Sequence, residues 1–395
     1  MRALFCLLVC TVCLGQTTET LYLSGTDKDH TVTWDFFCTL GRNSGYWSKI
    51  EVPSNWELQG FGSYNWGRDK ILSAEKGLYR HAFTVPAGWK NKKIFLVFEA
   101  SMTDTEVKIN GRSAGPVHQG GFYRFQYDVT SLVRCGAQNR LEAMVSKMSA
   151  NASVNEAERT ADYWVFGGIY RPVYLQAFPR EYIERVAIDA KQDGSFRIDV
   201  FSHTQRSDRR ILVQLKREGL LLPGTWTAST AQTCVQGRVE DPKLWSPEFP
   251  HFYTAVIRLQ QDHRVLHTME QRFGFRTVEV RPHDGIYVND NRIMFRGVCR
   301  HCFWPESGRC TSRPLSLQDV HLIKDMNMNA VRMSHYPPDA HFLDACDSLG
   351  LFVIDELAGW QYPPYDTPVG KKLVAEMIHR DVNHPSIILW ANGNE

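Results

Sequence analysis

The sequence predicts a multidomain protein in which two all-β sandwiches precede a parallel α/β unit. Residues 21–178 contain short alternating segments, such as 93–99, separated by Asn-Gly, Pro and Gly, which is typical of antiparallel strands. Residues 180–280 continue as strands without helical periodicity, and this length of about a hundred residues suits an immunoglobulin-like sandwich. From residue 285 onward strands and helices alternate, and this order predicts a parallel sheet with right-handed crossovers.

Turn and tryptophan residues refine the prediction for the first sandwich. Asn110-Gly111 lies between two strand-like runs and predicts a tight hairpin. Trp56 and Trp66 occur in the polar, glycine-rich stretch 53–70, where aromatic rings can stack on the faces of sugars. The alternative is that they belong to the core, the commoner place for tryptophan in a sandwich.

The parallel unit carries the signals of its elements in order. Strands are predicted at 292–300, 330–335, 351–357 and from 386, and helices at 315–328, 338–350 and 369–382. In the first helix, Ser316 and Asp319 are spaced as a capping box. The apolar residues expected on one face of that helix are Val320, Leu322, Ile323 and Met326.

The charge balance excludes several classes of partner. The chain has 395 residues, of which 45 are basic and 43 acidic, so no extended field attracts nucleic acid or a membrane surface. No nucleic-acid motif occurs either, and a neutral or small substrate is the simpler expectation. With 43% hydrophobic residues, the chain is long enough for two or three domains with their own cores.

Residues 1–15 predict a secretory signal peptide. Met1 and Arg2 precede the apolar run 3–14, and the small Gly15 offers a cleavage position. The run is too short to span a membrane as a helix, so we expect a secreted or periplasmic protein. Three of the ten cysteines leave with the signal, and the odd number that remains keeps at least one thiol outside any disulfide within the chain.

Cys299, Cys302 and Cys310 have the spacing of half a zinc site, because C-x-x-C followed by another cysteine is typical of zinc ligands. No second ligand pair follows, so free or disulfide-linked thiols are the better explanation. Asn151 begins an Asn-Ala-Ser sequon, which accepts glycan only in a eukaryotic secretory pathway.

Each predicted strand of the parallel unit ends in polar residues. These ends are Arg300-His301, Arg332 with His335 and Tyr336, Asp355-Glu356, and Asn394-Glu395. In a closed barrel the carboxyl ends of all strands meet at one rim, where barrel enzymes keep their active sites. A carboxylate there can protonate a leaving group and later deprotonate a water, and an amide can hold a substrate hydroxyl. The structural alternatives are a buried Arg332–Asp355 pair and a bond from His335 to a backbone carbonyl.

Four segments of the parallel unit resemble the successive motifs of glycoside hydrolase family 2, which includes β-galactosidases, β-glucuronidases and β-mannosidases. They are Gly297-Val-Cys-Arg-His301, Asn329-Ala-Val-Arg-Met-Ser-His-Tyr-Pro337, Val353-Ile-Asp-Glu356, and the stretch from Asn383-His-Pro-Ser-Ile to Gly-Asn-Glu395. Upstream, Asp162-Tyr-Trp-Val-Phe-Gly-Gly-Ile-Tyr-Arg-Pro-Val173 resembles the segment that closes the sugar-binding domain of that family. The likeness runs in order along almost the whole chain after the signal.

The resemblance implies a retaining exo-β-glycosidase built from three domains. They would be a jelly-roll, sugar-binding-like sandwich at 16–179, an immunoglobulin-like sandwich at 180–281, and the amino-terminal half of a (β/α)8 TIM barrel at 282–395. The implied substrate is a carbohydrate with a terminal β-linked sugar, a β-galactoside being the first expectation. Neither nucleic acid nor a membrane is an expected partner, and a homo-oligomer is left open.

The family motifs also imply roles for particular residues. By position, Glu395 would be the general acid/base, and Asn394 would bind the hydroxyl next to the anomeric carbon. His301 and His335 would contact the substrate or the transition state. Asp162 stands where β-galactosidases carry an aspartate that reaches sugar hydroxyls from the first domain.

Two features depart from the family pattern or leave an alternative open. For Asp162, a structural role in capping or in pairing near Arg171 is an equal alternative. In the magnesium-dependent β-galactosidases a glutamate and a histidine follow the third strand, whereas this chain has Leu357-Ala-Gly-Trp360-Gln-Tyr362. The sequence therefore predicts no metal site and no cofactor.

A retaining mechanism needs a second carboxylate about 5–5.5 Å from the first, and the family supplies it from a later barrel strand. Residues 282–395 are also fewer than the ~250 that a whole barrel takes. We therefore expect the front part of an enzyme that is inactive alone, with Asp355 and Glu356 as structural or orienting groups and not as the nucleophile. The alternative is a non-catalytic carbohydrate-binding protein whose half-barrel is a remnant.

Overall fold

The computed structural model describes residues 16–69, 73–204, 206, 208–230, 234–359 and 365–395. The first sandwich spans residues 19–178 and contains one α-helix, α1 (Ala152–Arg159), and two short 3₁₀ turns, Trp56–Gln59 and Ala87–Trp89. Its strands are β1 (Glu19–Tyr22), β2 (Val32–Cys38), β3 (Trp47–Val52), β4 (Asn65–Trp66), β5 (Lys76–Thr84), β6 (Lys93–Phe98), β7 (Asp104–Ile109), β8 (Arg112–Ser113), β9 (Phe125–Asp128), β10 (Gln138–Ser146), β11 (Trp164–Val165) and β12 (Val173–Phe178).

Two antiparallel sheets form this sandwich. One has the strand order β1-β12-β6-β9 and the other β3-β2-β5-β10-β7-β8, while β4 and β11 pair as a separate ribbon. Alternation builds the core, since every second residue of β10 from Asn139 to Val145 is buried. Trp56 is fully buried in that core. The hairpin at Asn110-Gly111 is confirmed, because both residues have positive φ, 53° and 79°, between β7 and β8.

The second sandwich follows at residues 182–273. Its strands are β13 (Tyr182–Ala190), β14 (Ser195–His203), β15 (Arg210–Arg217), β16 (Leu220–Leu221), β17 (Trp226–Ser229), β18 (Cys234–Arg238), β19 (Tyr253–Gln261) and β20 (Arg264–Phe273). One sheet has the order β13-β14-β18 and the other β16-β15-β19-β20, with β17 paired to β15. Ile198, Val213 and Ile257 are fully buried between the sheets. The prediction of a second all-β unit is confirmed.

A small antiparallel sheet, β21 (Val278–Arg281), β22 (Gly285–Val288) and β23 (Asn291–Arg292), leads into the α/β unit. That unit consists of β24 (Gly297–Arg300), α2 (Arg313–Asp325), β25 (Ala330–Met333), α3 (Ala340–Leu349), β26 (Phe352–Glu356), α4 (Thr367–Asp381) and β27 (Ile387–Ala391). Its four strands form one parallel sheet in chain order. The predicted alternation is therefore confirmed, and it is the arrangement of part of a TIM barrel.

The start of α2 differs from the prediction. The helix begins two residues earlier, after Ser312 as N-cap, and Ser316 and Asp319 form no capping box. Both side chains instead have tertiary partners: Ser316 Oγ lies 2.8 Å from His341 Nδ1, and Asp319 Oδ2 accepts a 2.7 Å hydrogen bond from the Arg300 guanidinium. The predicted apolar face is half right, because Val320 and Ile323 are buried whereas Leu322 and Met326 are more than half exposed.

The first sandwich and the α/β unit share a hydrophobic core. Aromatic residues of the sandwich, including Phe122, Phe166 and Tyr170, pack in one cluster with residues from α2, α3 and the parallel strands. An ion pair crosses the same interface, where Arg171 Nε donates to Asp339 Oδ1 at 2.6 Å and both side chains are buried. The two units are therefore held by apolar packing and by a buried charge pair.

The second sandwich binds the opposite end of the parallel sheet. Asn383, just before β27, donates from Nδ2 to the Val186 carbonyl at 2.9 Å and accepts from the Ile188 amide at 2.9 Å. Trp245 is fully buried and donates from Nε1 to the Asp347 carbonyl at 3.0 Å. These bonds attach the amino ends of the strands to the sandwich and leave their carboxyl ends for the site.

The cysteines of the described chain are all free thiols. Cys302 Sγ accepts from Arg300 Nη1 at 3.2 Å, Cys310 Sγ donates to the Pro53 carbonyl at 3.4 Å, and Cys299 is exposed. These three thiols form no metal-ligand group within the described residues. None of the helices in the described ranges is long and apolar enough to cross a membrane.

Candidate active site

The carboxyl ends of β24 to β27 bring the predicted polar residues to one edge of the sheet. Parallel pairing in chain order places the segments that follow these strands side by side. The side chains at this rim are those of His301, Arg332, His335, Tyr336, Glu356, Asn394 and Glu395. Contacts among them cross all four strand ends.

Arg332 is the centre of the rim. Its guanidinium donates to Glu356 through Nε at 2.6 Å and Nη2 at 2.8 Å, and Nη2 also donates to Asn394 Oδ1 at 3.0 Å. This bidentate geometry fixes both planar groups. The expected alternative of an Arg332–Asp355 pair is wrong, because Glu356 is the partner. One arginine thus ties the second, third and fourth strands together.

Glu356 is a buried carboxylate that remains charged. Its side chain has no exposed surface. Burial raises the pKa of Glu356, but hydrogen bonds from His335 and Arg332 outweigh burial and hold this pKa below its usual value. The carboxylate is committed to these two partners, which agrees with an orienting role.

Asp355 faces the other side of the sheet, as neighbouring strand residues must. Its side chain is fully buried beside Asp381 of α4, which is itself paired with Arg380 at 2.7 Å. Burial, followed by the charge of Asp381, raises the pKa of Asp355 well above its usual range. Asp355 therefore lies under the sheet against α4, apart from the hydrogen-bonded groups of the rim.

Two histidines stand side by side at the rim. His335 Nδ1 lies 3.3 Å from Glu356 Oε1, and the His301 ring centroid lies 5.2 Å from that of His335. His301 Nδ1 lies 3.1 Å from the Tyr336 hydroxyl. Burial, then the charges of Arg309 and His335, lower the pKa of His301 to about 4. His301 is thus neutral at pH 7 and can exchange hydrogen bonds with a sugar hydroxyl.

Arg309 is a buried cation behind His301 that the sequence did not indicate. Its guanidinium carbon lies 4.5 Å from the Tyr163 ring centroid, 4.4 Å from that of Tyr336 and 5.4 Å from that of Phe122. Nε and Nη1 have no hydrogen-bond partner. Cation–π contacts with three rings therefore stabilise this charge. An arginine in a polar loop gives no sequence signal for such a place.

Asn394 and Glu395 follow β27 at the rim. Asn394 is buried, its backbone amide donates to the Gly359 carbonyl at 2.8 Å, and its side chain accepts from Arg332. Glu395, next in the chain, has an exposed side chain. The structure thus gathers His301, His335 and Asn394 around Arg332 and Glu356, with Glu395 adjacent and open to solvent.

Asp162 lies on the sandwich side of the site. Its carboxylate is half exposed and pairs with Arg68, with Nε–Oδ1 at 2.6 Å and Nη2–Oδ2 at 3.0 Å. The expected alternative of a pair near Arg171 is wrong, because Arg171 pairs with Asp339. The next residue, Tyr163, has its ring centroid 6.2 Å from that of His301. Asp162 is thus one residue from the rim and not in its hydrogen-bond network.

One group of potential metal ligands occurs in the described chain, formed by Asp344, Asp347 and His384. It precedes β27, at the end of the sheet opposite the rim. His384 Nδ1 lies 2.6 Å from Asp347 Oδ2, and Ser386 Oγ donates to Asp347 Oδ1 at 2.6 Å. Burial lowers the pKa of His384, but the Asp347 charge outweighs it and raises this pKa. The contacts of Asp347 with His384 and Ser386 hold together the segment that leads into β27. The segment from Trp360 to Tyr362, on which the prediction of no metal depends, lies outside the described residues.

Two β-sandwiches followed by a parallel sheet that carries histidine, arginine, amide and carboxylate groups on its carboxyl edge are the arrangement found in multidomain barrel enzymes. Sequence models of glycosyl hydrolases family 2 match almost the whole chain. The sugar binding domain matches residues 43–179, the model described simply as glycosyl hydrolases family 2 matches residues 181–276, and the TIM barrel domain matches residues 278–395. The chain belongs to glycosyl hydrolase family 2.

Individual relatives agree with this assignment. A β-galactosidase of Thermoanaerobacter pseudethanolicus is 31% identical over 324 residues, which are 79% of this chain and 44% of the relative. A β-glycosidase from Bacteroides vulgatus superposes with a TM-score of 0.81 at 28% identity, over 95% of this chain and 50% of that structure. A β-glucuronidase from Bacteroides uniformis superposes with a TM-score of 0.78 at 25% identity, over 95% of this chain and 47% of that structure. The chain spans less than half the length of the curated relatives it matches.

Proposed function

We propose that the full-length protein is a retaining exo-β-glycosidase that removes a terminal β-linked sugar, with a β-galactoside as the first substrate to test. The observation that carries this proposal is the arginine-centred rim, in which Arg332 holds Glu356 and Asn394 beside Glu395. The relatives named β-galactosidase and β-glucuronidase support the substrate class. We further infer that the first sandwich is of the jelly-roll type, that the second is immunoglobulin-like, and that the protein is secreted or periplasmic.

In the proposed mechanism the rim binds and Glu395 moves the proton. Asn394 is buried with its amide nitrogen left to donate, since Oδ1 is taken by Arg332, and it would bind the hydroxyl next to the anomeric carbon. Neutral His301, together with His335, would bind further hydroxyls. These contacts hold the sugar so that its glycosidic oxygen faces Glu395, and such positioning supplies much of the rate.

The chemistry needs two carboxylates. Glu395, as the acid, would donate its proton to the glycosidic oxygen while a nucleophilic carboxylate displaces the leaving group and forms a glycosyl ester. Glu395 would then remove a proton from water, whose oxygen attacks the anomeric carbon and releases the ester. Glu356 is occupied by Arg332 and His335, so a residue of the full-length protein outside 16–395 is proposed as the nucleophile.

The test is the stereochemistry of the first product formed by the full-length protein. A panel of 4-nitrophenyl β-glycosides identifies the sugar, and ¹H NMR then follows the anomer released from the preferred substrate. Retention predicts that the β-anomer forms first and later mutarotates. Release of the α-anomer first would overturn the retaining assignment. A full-length protein that binds glycosides without turnover would favour the non-catalytic carbohydrate-binding alternative.

A further inference from the structure

A group of aromatic side chains lies at the surface near the rim. It consists of the exposed Tyr64, Trp164 and Phe303 and the half-buried Trp66, and we call it the aromatic platform. Tyr64, Trp164 and Phe303 are 45%, 42% and 43% exposed. Isolated apolar side chains on a surface are ordinary, but a contiguous group of large ones marks a binding surface.

The platform is built on the ribbon of β4 and β11. Trp66 and Trp164 are directly opposite each other in this ribbon, and their ring centroids lie 5.1 Å apart at an interplanar angle of 83°. The ring centroid of Tyr64 lies 5.9 Å from that of Trp164, with an interplanar angle of 75°. These edge-to-face contacts hold the rings in fixed orientations while leaving their outer surfaces in solvent.

Phe303 joins the platform from the α/β unit. The ring centroid of Phe303 lies 6.4 Å from that of Phe166, with an interplanar angle of 20°. Phe166 is buried, and its ring centroid also lies 6.4 Å from that of Tyr64. The buried Phe166 thus supports exposed rings from both units. The platform is part of the same interface that positions the rim.

The platform begins where the rim ends. Phe303 follows His301 by two residues, and Trp164 follows Tyr163, whose ring lies 6.2 Å from that of His301. The ion pair of Arg68 with Asp162 flanks the same ribbon and is half exposed. The chain thus connects the platform to the rim from both units, and the Arg68–Asp162 pair gives the platform a polar border.

We propose that the aromatic platform binds the leaving-group portion of the substrate through its flat apolar face. The occupant is a ring, either a second sugar or an aromatic aglycone, and this inference rests on the proposed glycosidase function. The rim offers hydrogen-bonding groups suited to the hydroxyls of the sugar that is cleaved off. The next unit of the substrate extends beyond the rim, where exposed aromatic rings stack on ring C–H faces and the Arg68–Asp162 pair can bond hydroxyls at the edge.

The experiment compares leaving groups in the full-length enzyme. kcat/KM is measured for the methyl β-glycoside, the phenyl β-glycoside and a β-linked disaccharide of the preferred sugar, in the wild type and in Trp164→Ala and Phe303→Ala. Loss of one stacking partner should lower kcat/KM by about two- to tenfold for ring leaving groups and leave the methyl glycoside unchanged. The disaccharide and the phenyl glycoside separate a preference for a sugar ring from one for an aromatic ring.

Trp47→Ala is the matched control. Trp47, the first residue of β3, is 41% exposed like the platform residues, but it packs on Phe37 and Arg80 and is not part of the platform. Equal losses on all three substrates, or losses in neither platform variant, would overturn the proposal. Phe303→Ala keeps the test valid if Trp164→Ala disturbs the ribbon.

A direct binding assay separates this proposal from the proposed function. Saturation-transfer NMR with phenyl β-d-galactoside and phenyl β-d-glucuronide needs no turnover, so it reports on the platform even if the full-length protein hydrolyses nothing. Contact with the phenyl protons that disappears in Trp164→Ala supports the platform. Phenyl contact that is unchanged in both platform variants would refute it.

Discussion

Replacing Arg171 by methionine should destabilise the protein by about 3–5 kcal/mol, the usual cost of removing one partner of a buried ion pair. Arg171 is buried and donates to Asp339 Oδ1 at 2.6 Å, to the Phe122 carbonyl at 3.0 Å and to the Pro337 carbonyl at 3.0 Å. Methionine preserves much of the volume but leaves the Asp339 carboxylate with the Thr311 hydroxyl, at 2.5 Å, as its remaining side-chain hydrogen-bond donor.

The size of the loss should depend on pH. Burial alone would raise the pKa of Asp339, but the Arg171 charge outweighs burial and holds this pKa well below its usual range. A depressed pKa stabilises the fold above the unfolded pKa of about 3.9, and this stabilisation is lost as the pH falls toward the folded pKa. In Arg171→Met the unpaired carboxylate should have a raised pKa, and its penalty should shrink by about 1.4 kcal/mol per pH unit below that value.

Urea denaturation at pH 7 and pH 4.5 measures both effects. The difference in free energy of unfolding between wild type and Arg171→Met should be large at pH 7 and smaller at pH 4.5. The double variant Arg171→Met with Asp339→Asn should recover part of the stability lost in Arg171→Met. Arg197→Met is the control, because the Arg197–Asp199 pair lies at the surface, where solvent screens an ion pair and its loss should change stability little. A penalty below about 1 kcal/mol, or one equal at both pH values, would refute the account of a charge-stabilised interface.

Four further predictions concern the site. Glu395→Gln should lower kcat by about 10²–10⁴, with a smaller loss for 4-nitrophenyl leaving groups, which need less help from a proton donor. The control variant Glu240→Gln, at an exposed position, should leave kcat unchanged. Equal losses of kcat on all leaving groups would contradict general acid catalysis. Arg309→Met should raise the pKa of His301 from about 4 in an NMR titration, and an unchanged value would show that burial alone sets it. EDTA should leave turnover within about twofold, whereas a loss restored by Mg²⁺ would reveal recruited ligands. Residues 16–395 alone should have no turnover; activity that disappears in Glu395→Gln would mean that a carboxylate within this range, with Glu356 as the first candidate, is the nucleophile.

The order of elements could be predicted because its signals are local. Alternation and helical periodicity identified the strands and helices of the α/β unit, and the polar residues after each strand identified the rim. The capping box failed because Ser316 and Asp319 bond to His341 and Arg300, partners that no local pattern reveals.

Long-range pairing was the part of the site that the sequence concealed. Asp162 pairs with Arg68, 94 residues away, and Arg171 with Asp339, 168 residues away. An arginine can pair with any of the acidic residues, so sequence alone does not select one. Trp56 and Trp66 make the same point, because one is a core residue and the other belongs to the surface ribbon although they lie ten positions apart.

The core shared by the first sandwich and the α/β unit has a consequence for synthesis on the ribosome. The sandwich emerges first, and its interface residues, including Phe122, Phe166 and Tyr170, have no partner until α2 and α3 have followed. During this interval a nascent chain exposes these aromatic residues together with Arg171, whose partner Asp339 has not yet been made. Chaperone binding should therefore concentrate on this surface, and transplanting the sandwich onto an unrelated catalytic domain would require redesign of the surface.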